Sequence, residues 1–339
     1  MKIIDGSMGE GGGQVLRTSL ALSMVTGTPF RLNKIRAGRG KPGLLRQHLT
    51  CVNAAAEICG AEVEGNVLGS KELTFYPGTT QGGDYSFSVG SAGSACLVCQ
   101  TVLPPLMISE KPSTLTIEGG THNDFAPPFD FIKKTFVPIV NRMGPKIEMQ
   151  IERYGFFPAG GGKINVQINP EKYLTKFDLT ERGKIISKTG EALFSHLSRK
   201  IASRELTVIG KNLSLEEGSL KTVRISNSVG PGNIVSISIE SEHVSEVFTG
   251  FGKMGVKAES VASSACGAAL AYLNAGVPVG KYLADQLLIP MALARSGRIK
   301  TMKPSEHTLT NIEVIKIFMD INFEVSMESD NVWEIATST

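Results

Sequence analysis

Several short stretches of this sequence combine residue types that handle phosphate or act as nucleophiles. Gly9-Glu10-Gly11-Gly12-Gly13-Gln14 stands directly before a segment with helical character. A Gly-rich turn at a helix N-terminus presents free backbone N–H groups to an anion. A carboxylate there repels phosphate unless a divalent cation lies between them. Glu10 therefore reads either as a magnesium ligand beside nucleotide phosphates or as an exposed turn residue that suits the helix dipole. The stretch is neither a P-loop nor a dinucleotide fingerprint. Arg17 follows on the same helix, and Arg36 and Arg39 flank Gly38 in Arg36-Ala-Gly-Arg-Gly-Lys-Pro-Gly43 before a second helix. Guanidinium forks in such a loop either grip phosphate oxygens or face solvent. Gln47 lies one turn into that helix and reaches the same region. His307 occurs in Lys303-Pro-Ser-Glu-His-Thr-Leu-Thr-Asn-Ile-Glu313. Thr310 and Glu313 form a capping-box pattern that sets His307 ahead of a helix start, where the dipole disfavours an imidazolium and favours a neutral, nucleophilic ring. A lone loop histidine is also a common surface residue. Tyr282 and Asp285, three apart on the preceding helix, share one face; they could hold a nucleotide or cap the edge of the core.

A recurring series of elements must position these residues. The first copy reads strand from Ile3, Gly-rich turn, helix Gln14 to Val25, strand Phe30 to Ile35, helix Pro42 to Cys59 and two strands between Ala61 and Tyr76. Apolar Leu45, Leu49, Val52, Ala56 and Cys59 form one helical stripe. The second copy reads strand Tyr85 to Val89, helix from Gly90-Ser-Ala-Gly-Ser94 to Met107, strand Ser113 to Glu118, helix Pro127 to Met143 kinked at Pro138, and strands Lys146 to Arg153 and Gly162 to Ile168. The third has helix Tyr282 to Ala294, strand Arg298 to Met302, helix Asn311 to Phe318, and strands Phe323 to Met327 and Val332 to Ala336. Its opening strand is expected near Lys184 to Ser187. The intervening segment is expected to form its own unit, with helices Ala192 to Ile201 and Ser260 to Asn274 and strands Glu205 to Gly210, Thr222 to Ser226 and Ile234 to Ser241. The predicted class is α+β: three βαβαββ units with helices packed on sheets, occupying 1–184 and 279–339, and a small inserted α/β domain at 185–278.

Composition narrows the function classes. The 339 residues carry a net charge of +3, too little for a general nucleic-acid coat, so any such contact should be local. Met1 to Gly13 lacks the apolar core of a signal peptide. The longest apolar run, Cys96 to Ile108, is too short to span a bilayer. Five cysteines without framework spacing read as reduced and intracellular, and Cys96 and Cys99 read as packed thiols on a helix.

Taken together, Gly9 to Arg17, Arg36 to His48, Gly90 to Ser94, Gly155-Phe-Phe-Pro-Ala-Gly-Gly-Gly162, Tyr282-Leu-Ala-Asp-Gln286 and His307-Thr-Leu-Thr-Asn311 resemble the RNA 3′-terminal phosphate cyclase family, in order, across nearly the whole chain. The resemblance implies a cytoplasmic ATP-dependent ligase acting on RNA 3′-phosphate ends, with no membrane and no obligatory protein partner. It implies three steps: His307 takes AMP from ATP, AMP passes to the RNA 3′-phosphate, and the 2′-hydroxyl closes a 2′,3′-cyclic phosphate. It assigns Mg2+ or Mn2+ to Glu10 and phosphate handling to Arg17, Arg36, Arg39 and Gln47. Gln100, Pro127, Phe131, Tyr282 and Asp285 would line the nucleotide pocket, with Pro127 and Tyr282 sandwiching adenine. Glu306, beside the histidine, departs from some relatives. Two other readings compete: a binding-only protein, which would lack the histidine, and an enolpyruvyl transferase, which would not label a histidine with AMP.

Overall fold

The computed structural model describes residues 1–338. Its plan is three copies of one βαβαββ unit. The first comprises β1 (Lys2–Asp5), α1 (Gln14–Thr26), β2 (Phe30–Asn33), α2 (Arg46–Cys59), β3 (Glu62–Glu64) and β4 (Leu73–Tyr76). The second comprises β5 (Asp84–Ser88), α3 (Ala95–Leu106), β6 (Ser113–Gly119), a broken helix, β7 (Lys146–Arg153) and β8 (Gly162–Asn169). That helix is α4 (Phe129–Phe131), a π turn (Ile132–Phe136) and α5 (Val137–Asn141). The expected break at Pro138 is thus preceded by a wide turn, one of the ordinary ways a helix accommodates a residue with no N–H to donate. The third unit opens with β9 (Phe177–Leu179). It is interrupted by β10 (Ile185–Ser195), α6 (Arg199–Leu213), β11 (Leu220–Arg224), β12 (Gly232–Ser241), β13 (Ser245–Phe251) and α7 (Ala258–Ala275). It resumes with α8 (Lys281–Ala294), β14 (Gly297–Thr301), α9 (Glu306–Phe318), β15 (Asn322–Ser329) and β16 (Val332–Ser338).

The three sheets share one topology: β1-β2-β4-β3, β5-β6-β8-β7 and β9-β14-β16-β15. In each, the first two strands are parallel and the remaining pairs antiparallel. The parallel pair requires a crossover helix, which is α1, α3 or α8 in turn. These helices meet in the middle of the molecule: α1 packs on α2, α3 and α9, and α8 packs on α9. One continuous apolar core joins all three units.

The intervening segment forms a fourth sheet, β11-β10-β12-β13, with α6 and α7 and an apolar cluster of its own. Three expectations here need correction. The third unit opens at β9, and the strand near Lys184 belongs to this fourth sheet. Ala192 to Ser195 is strand, because β10 is a central strand paired on both sides, so its run Ala-Leu-Phe-Ser lacks the alternation of an exposed strand. Glu205 to Gly210 is helix: Ala202, Leu206, Ile209 and Leu213 are buried at helical spacing, and Ser198 Oγ caps α6 by accepting the Lys200 N–H at 3.3 Å. Farther back, α2 starts at Arg46 instead of Pro42. Residues 42–45 instead form a bend at Gly43, with φ at +82°, packed on the next loop, where Leu44 N–H donates to Ser70 O and Gly69 N–H to Leu44 O.

One buried group ties the fourth sheet to α8. Glu246 on β13 is 2% exposed, and its Oε1 accepts the N–H of Gly280, the α8 N-cap, at 2.6 Å. Burial pushes this carboxyl up to about 8, against the pull of the Gly280 and Val247 N–H groups. Between its ordinary value of 4.5 and about 8 the unfolded chain has released this proton and the folded chain has kept it. Stability therefore falls as pH rises through that window. Glu246→Gln keeps an oxygen for Gly280 and removes the titration. The urea midpoint of the variant should fall less between pH 5 and pH 8, by an amount worth on the order of 1–3 kcal/mol. Parallel midpoint curves for the two proteins would show that Glu246 does not titrate in the fold.

Candidate active site

The site is built where α1 of the first unit meets α8 and α9 of the third. Gln14 opens α1, Asp285 lies one turn into α8, and His307 lies in the first turn of α9. The true α9 N-cap is Ser305, whose Oγ accepts the Thr308 N–H at 3.1 Å; Thr310 is turned inward instead of capping. Gly9 shows why. It holds φ at +56°, and a Cβ there would sit 1.9 Å from Thr310 Oγ1. The Glu10 turn thus rests directly on α9, and only a glycine allows it.

The Gln14 amide joins the three helices. Its Nε2 donates to Asp285 Oδ1 at 2.6 Å and to the His307 carbonyl at 3.1 Å. With the amide nitrogen committed to two acceptors, Oε1 faces His307 Nδ1 at 2.6 Å. A carbonyl oxygen only accepts, so Nδ1 carries a proton, and Nε2 is the ring nitrogen turned toward the Glu10 carboxylate. Nε2 points to Glu10 Oε2, 3.1 Å away, and the same oxygen accepts from Arg39 at 2.9 Å. The ring and both charged partners are partly open to solvent.

Behind Gln14 the polar groups are satisfied in a chain. Thr18 Oγ1 donates to Asn311 Oδ1 at 2.7 Å, and Asn311 Nδ2 reaches Asp285 Oδ1 and O, each at 3.2 Å. Burial pushes the Asp285 carboxyl above its ordinary value, while His307, Gln14, Arg17 and Asn311 pull it back. A cleft here is lined by Gln14, Arg17, Gln100, Asp285, Gln286 and Asn311. Gln100 Nε2 donates to Gln286 Oε1 within it.

The arginines differ in what they touch. Arg36, 9% exposed and itself at positive φ, donates through one guanidinium nitrogen to the carbonyls of Lys41 and Gly43 at 2.5 and 2.9 Å. It braces its own loop. Arg39 pairs with Glu10. The Arg17 guanidinium has no hydrogen bond or ion pair among the described residues, although burial lowers its pKa against the opposing pull of Cys51 and Asp285. An unpartnered fork in a cleft that also has apolar walls, such as Leu103, Met107, Phe136 and Ile289, is a ready anion site. Gln47 Oε1 accepts the Ser94 N–H at 3.0 Å, which ties α2 to the start of α3.

Sequence reasoning passed over Gln14, Thr18, Asn311 and His48. Gln14 and Thr18, and likewise His307 and Asn311, are four apart on one helix, and that spacing was the available signal. His48 is buried, and its Nδ1 accepts the Leu45 N–H at 3.3 Å. Burial, then Arg17 and Arg36, depress it to about 3, so it stays neutral beside the arginines. Of the expected pocket residues, Gln100 and Asp285 line the cleft, whereas Pro127, Phe131 and Tyr282 lie outside its lining. Phe131 is 4% exposed and belongs to the core; Tyr282 is 69% exposed. The five cysteines are free and buried, Cys96 and Cys99 among them. No helix among the described residues is long and apolar enough to cross a membrane.

Comparison with known proteins gives the family. "RNA 3′-terminal phosphate cyclase" of Koribacter versatilis (strain Ellin345) is 52% identical over 339 residues, all of this chain and 95% of the relative. The protein of the same name from Ralstonia nicotianae (strain ATCC BAA-1114 / GMI1000) is 48% identical over 328 residues, 96% of this chain and 94% of the relative. The family model for RNA 3′-terminal phosphate cyclase matches residues 8–325. With relatives near half identity along almost the entire length and a family match over most of it, this chain belongs to the RNA 3′-terminal phosphate cyclase family.

Proposed function

We propose that the protein is an ATP-dependent RNA 3′-phosphate cyclase that works through a covalent histidyl-AMP. The observation that carries this reading is His307 held at Nδ1 by the Gln14 amide oxygen, with Nε2 directed at Glu10, which Arg39 pairs from the other side. In the first step Nε2 forms a bond to the α-phosphorus of ATP, and the bond to pyrophosphate breaks. In the second, an oxygen of the RNA 3′-phosphate attacks that phosphorus, the N–P bond breaks, and RNA-(3′)pp(5′)A forms. In the third, the neighbouring 2′-hydroxyl attacks the terminal RNA phosphorus, loses its proton, and expels AMP. Dividing the reaction this way replaces one difficult activation with easier displacements. The chain contributes mostly position and charge.

Each side chain then has a task. Gln14 orients the ring, and Asp285 holds Gln14. Arg17 grips a phosphate, Arg39 lies beside it on Glu10, and Arg36 and Gln47 hold the loops that frame them. Gln100 and Asp285 face the cleft where the nucleotide would bind, and Pro127, Phe131 and Tyr282 would have to complete that pocket from outside its present lining. Among the described residues no group of three or more His, Cys, Asp or Glu could hold a metal ion. Glu10 alone would supply a carboxylate oxygen to Mg2+ or Mn2+, which commonly takes its other oxygens from phosphate and water. Such an ion would neutralise phosphate charge.

Three substitutions test the reading. With α-labelled ATP, the protein should acquire acid-labile, base-stable label; His307→Ala should acquire none and form no cyclic ends, while remaining cooperatively folded. A labelled His307→Ala protein would mean another nucleophile. Gln14→Ala should slow self-adenylylation by roughly 10-fold to 100-fold, because the ring loses the contact that orients it and the charge-assisted contact to Asp285 is gone. Normal rates would reduce Gln14 to a packing residue. Arg17→Lys keeps the net charge and loses the fork, so kcat/KM should drop by roughly 10-fold to 100-fold; Arg17→Lys with full activity would leave Arg17 outside phosphate binding.

A further inference from the structure

Two Gly-rich stretches outside the His307 cluster, Gly90 to Ser94 and Gly155 to Gly162, meet at Ala92. The second springs from a backbone bridge between His122 and Phe156, with Thr121 N–H donating to Gly155 O at 2.9 Å. From the other side of that bridge leaves the loop 123–127. Both loops are fastened to the first stretch. Asn123 Nδ2 donates to Ala92 O at 2.5 Å, and Gly160, at φ +67°, lies so close that a Cβ would meet Ala92 Cα at 2.8 Å. The first stretch in turn reaches the site, because Ser94 N–H donates to Gln47.

On this knot of loops two aromatic rings stand in solvent. Phe125 is 95% exposed and Phe157 75%. Phe125 also holds φ at +62°, a conformation a bulky side chain adopts only under constraint, so its backbone is committed to presenting the ring outward. The fourth sheet adds to the surface. Lys253, after β13, pairs with Asp124 and places its ammonium 5.6 Å from the centre of the Phe125 ring. Exposed aromatic faces beside a cation, on loops joined through Ser94 to the α2 residue Gln47, suit stacked bases on a charged backbone.

We propose that Phe125 and Phe157 form a stacking platform for the single-stranded RNA immediately upstream of the 3′-phosphate, with the segment 185–278 closing one side through Lys253. This rests on the cyclase reading above. The phosphate end occupies the site near Gln47, and the preceding nucleotides leave across the 90–94 loop onto the two rings. Stacking tolerates any base, so the platform supplies affinity without sequence preference.

The test compares the full-length protein with Phe125→Ala/Phe157→Ala on RNA acceptors of two and of about ten nucleotides, each ending in a 3′-phosphate. The ratio of kcat/KM, long over short, should fall about 10-fold in the double variant, mainly through KM. Phe125→Tyr/Phe157→Tyr should restore it, and Phe125→Leu/Phe157→Leu should not. An unchanged ratio overturns the proposal. So does full rescue by leucine, which would make the patch merely apolar and suited to a protein partner. If the wild-type protein cyclises neither acceptor, the cyclase reading fails by itself. Quenching of 2-aminopurine placed next to the 3′ end then decides the platform: quenching in the wild type that the alanine pair abolishes supports it, and equal signals overturn it.

Discussion

Everything at the site depends on one carboxamide. Gln14 spans 271 residues of sequence to Asp285 and 293 to His307, and its two ends do different work. The nitrogen end satisfies a carboxylate that burial penalises, and the oxygen end engages Nδ1 of the imidazole and so fixes the direction of the ring. Neither end can be replaced locally, because the three partners arrive on three helices from two structural repeats. An unpaired carboxylate or amide at this depth would cost about 1–3 kcal/mol, so each member of the cluster favours the presence of the others. Thr18 and Asn311 extend the chain of donors behind it, leaving the Asp285 oxygens engaged from more than one side.

That dependence explains the repeat architecture. A single βαβαββ unit has one exposed helical layer, and burying it requires another unit. Here α1, α3, α8 and α9 supply it for one another, and the cleft is the seam between them. Close approach is needed at that seam, which accounts for Gly9 against Thr310. Gly38 does the same within the first unit, where a Cβ would lie 2.6 Å from the Glu10 carbonyl. Side chains at either place would push the Glu10 turn away from His307, so the glycines set the distance between carboxylate and ring.

Local patterns carried most of the fold. Cap glycines after α1 and α2, amphipathic spacing in α2, and the thrice-repeated order of elements were legible because they depend on neighbours a few residues apart. Residues 190–210 were not. A central strand and a partly buried helix, Ala-Leu-Phe-Ser and Glu-Leu-Thr-Val-Ile, each imitate the other's pattern when tertiary partners decide burial. At the site, the legible features were charges and the histidine, because those residue types carry chemistry by themselves. Gln14 was invisible for a physical reason: an amide has no chemistry until two distant partners fix its orientation. The separation of Arg17 from Arg36 was equally hidden, since both are arginines in Gly-rich surroundings and only the carbonyls of Lys41 and Gly43 distinguish a brace from a free fork.

The fourth sheet has a position that follows from the same logic. It enters the third repeat between β9 and α8, so the chain returns from it directly into the helix that carries Asp285. Glu246 meets that return at the α8 N-cap, where a helix offers unpaired N–H groups and a partial positive charge. A carboxyl there orders the first turn of α8 whether protonated or ionised, because either form keeps an acceptor oxygen. What changes with ionisation is the cost of burying the charge, and that cost is borne by the join between the fourth sheet and α8. The segment 185–278 is therefore coupled to the Gln14 cluster through a single helix turn. Its loops meanwhile touch the 155–162 stretch, where a Cβ on Gly161 would strike Val229 at 2.5 Å. Contact at both ends makes the segment a bridge between the helix that holds Asp285 and the loops that carry Phe125 and Phe157.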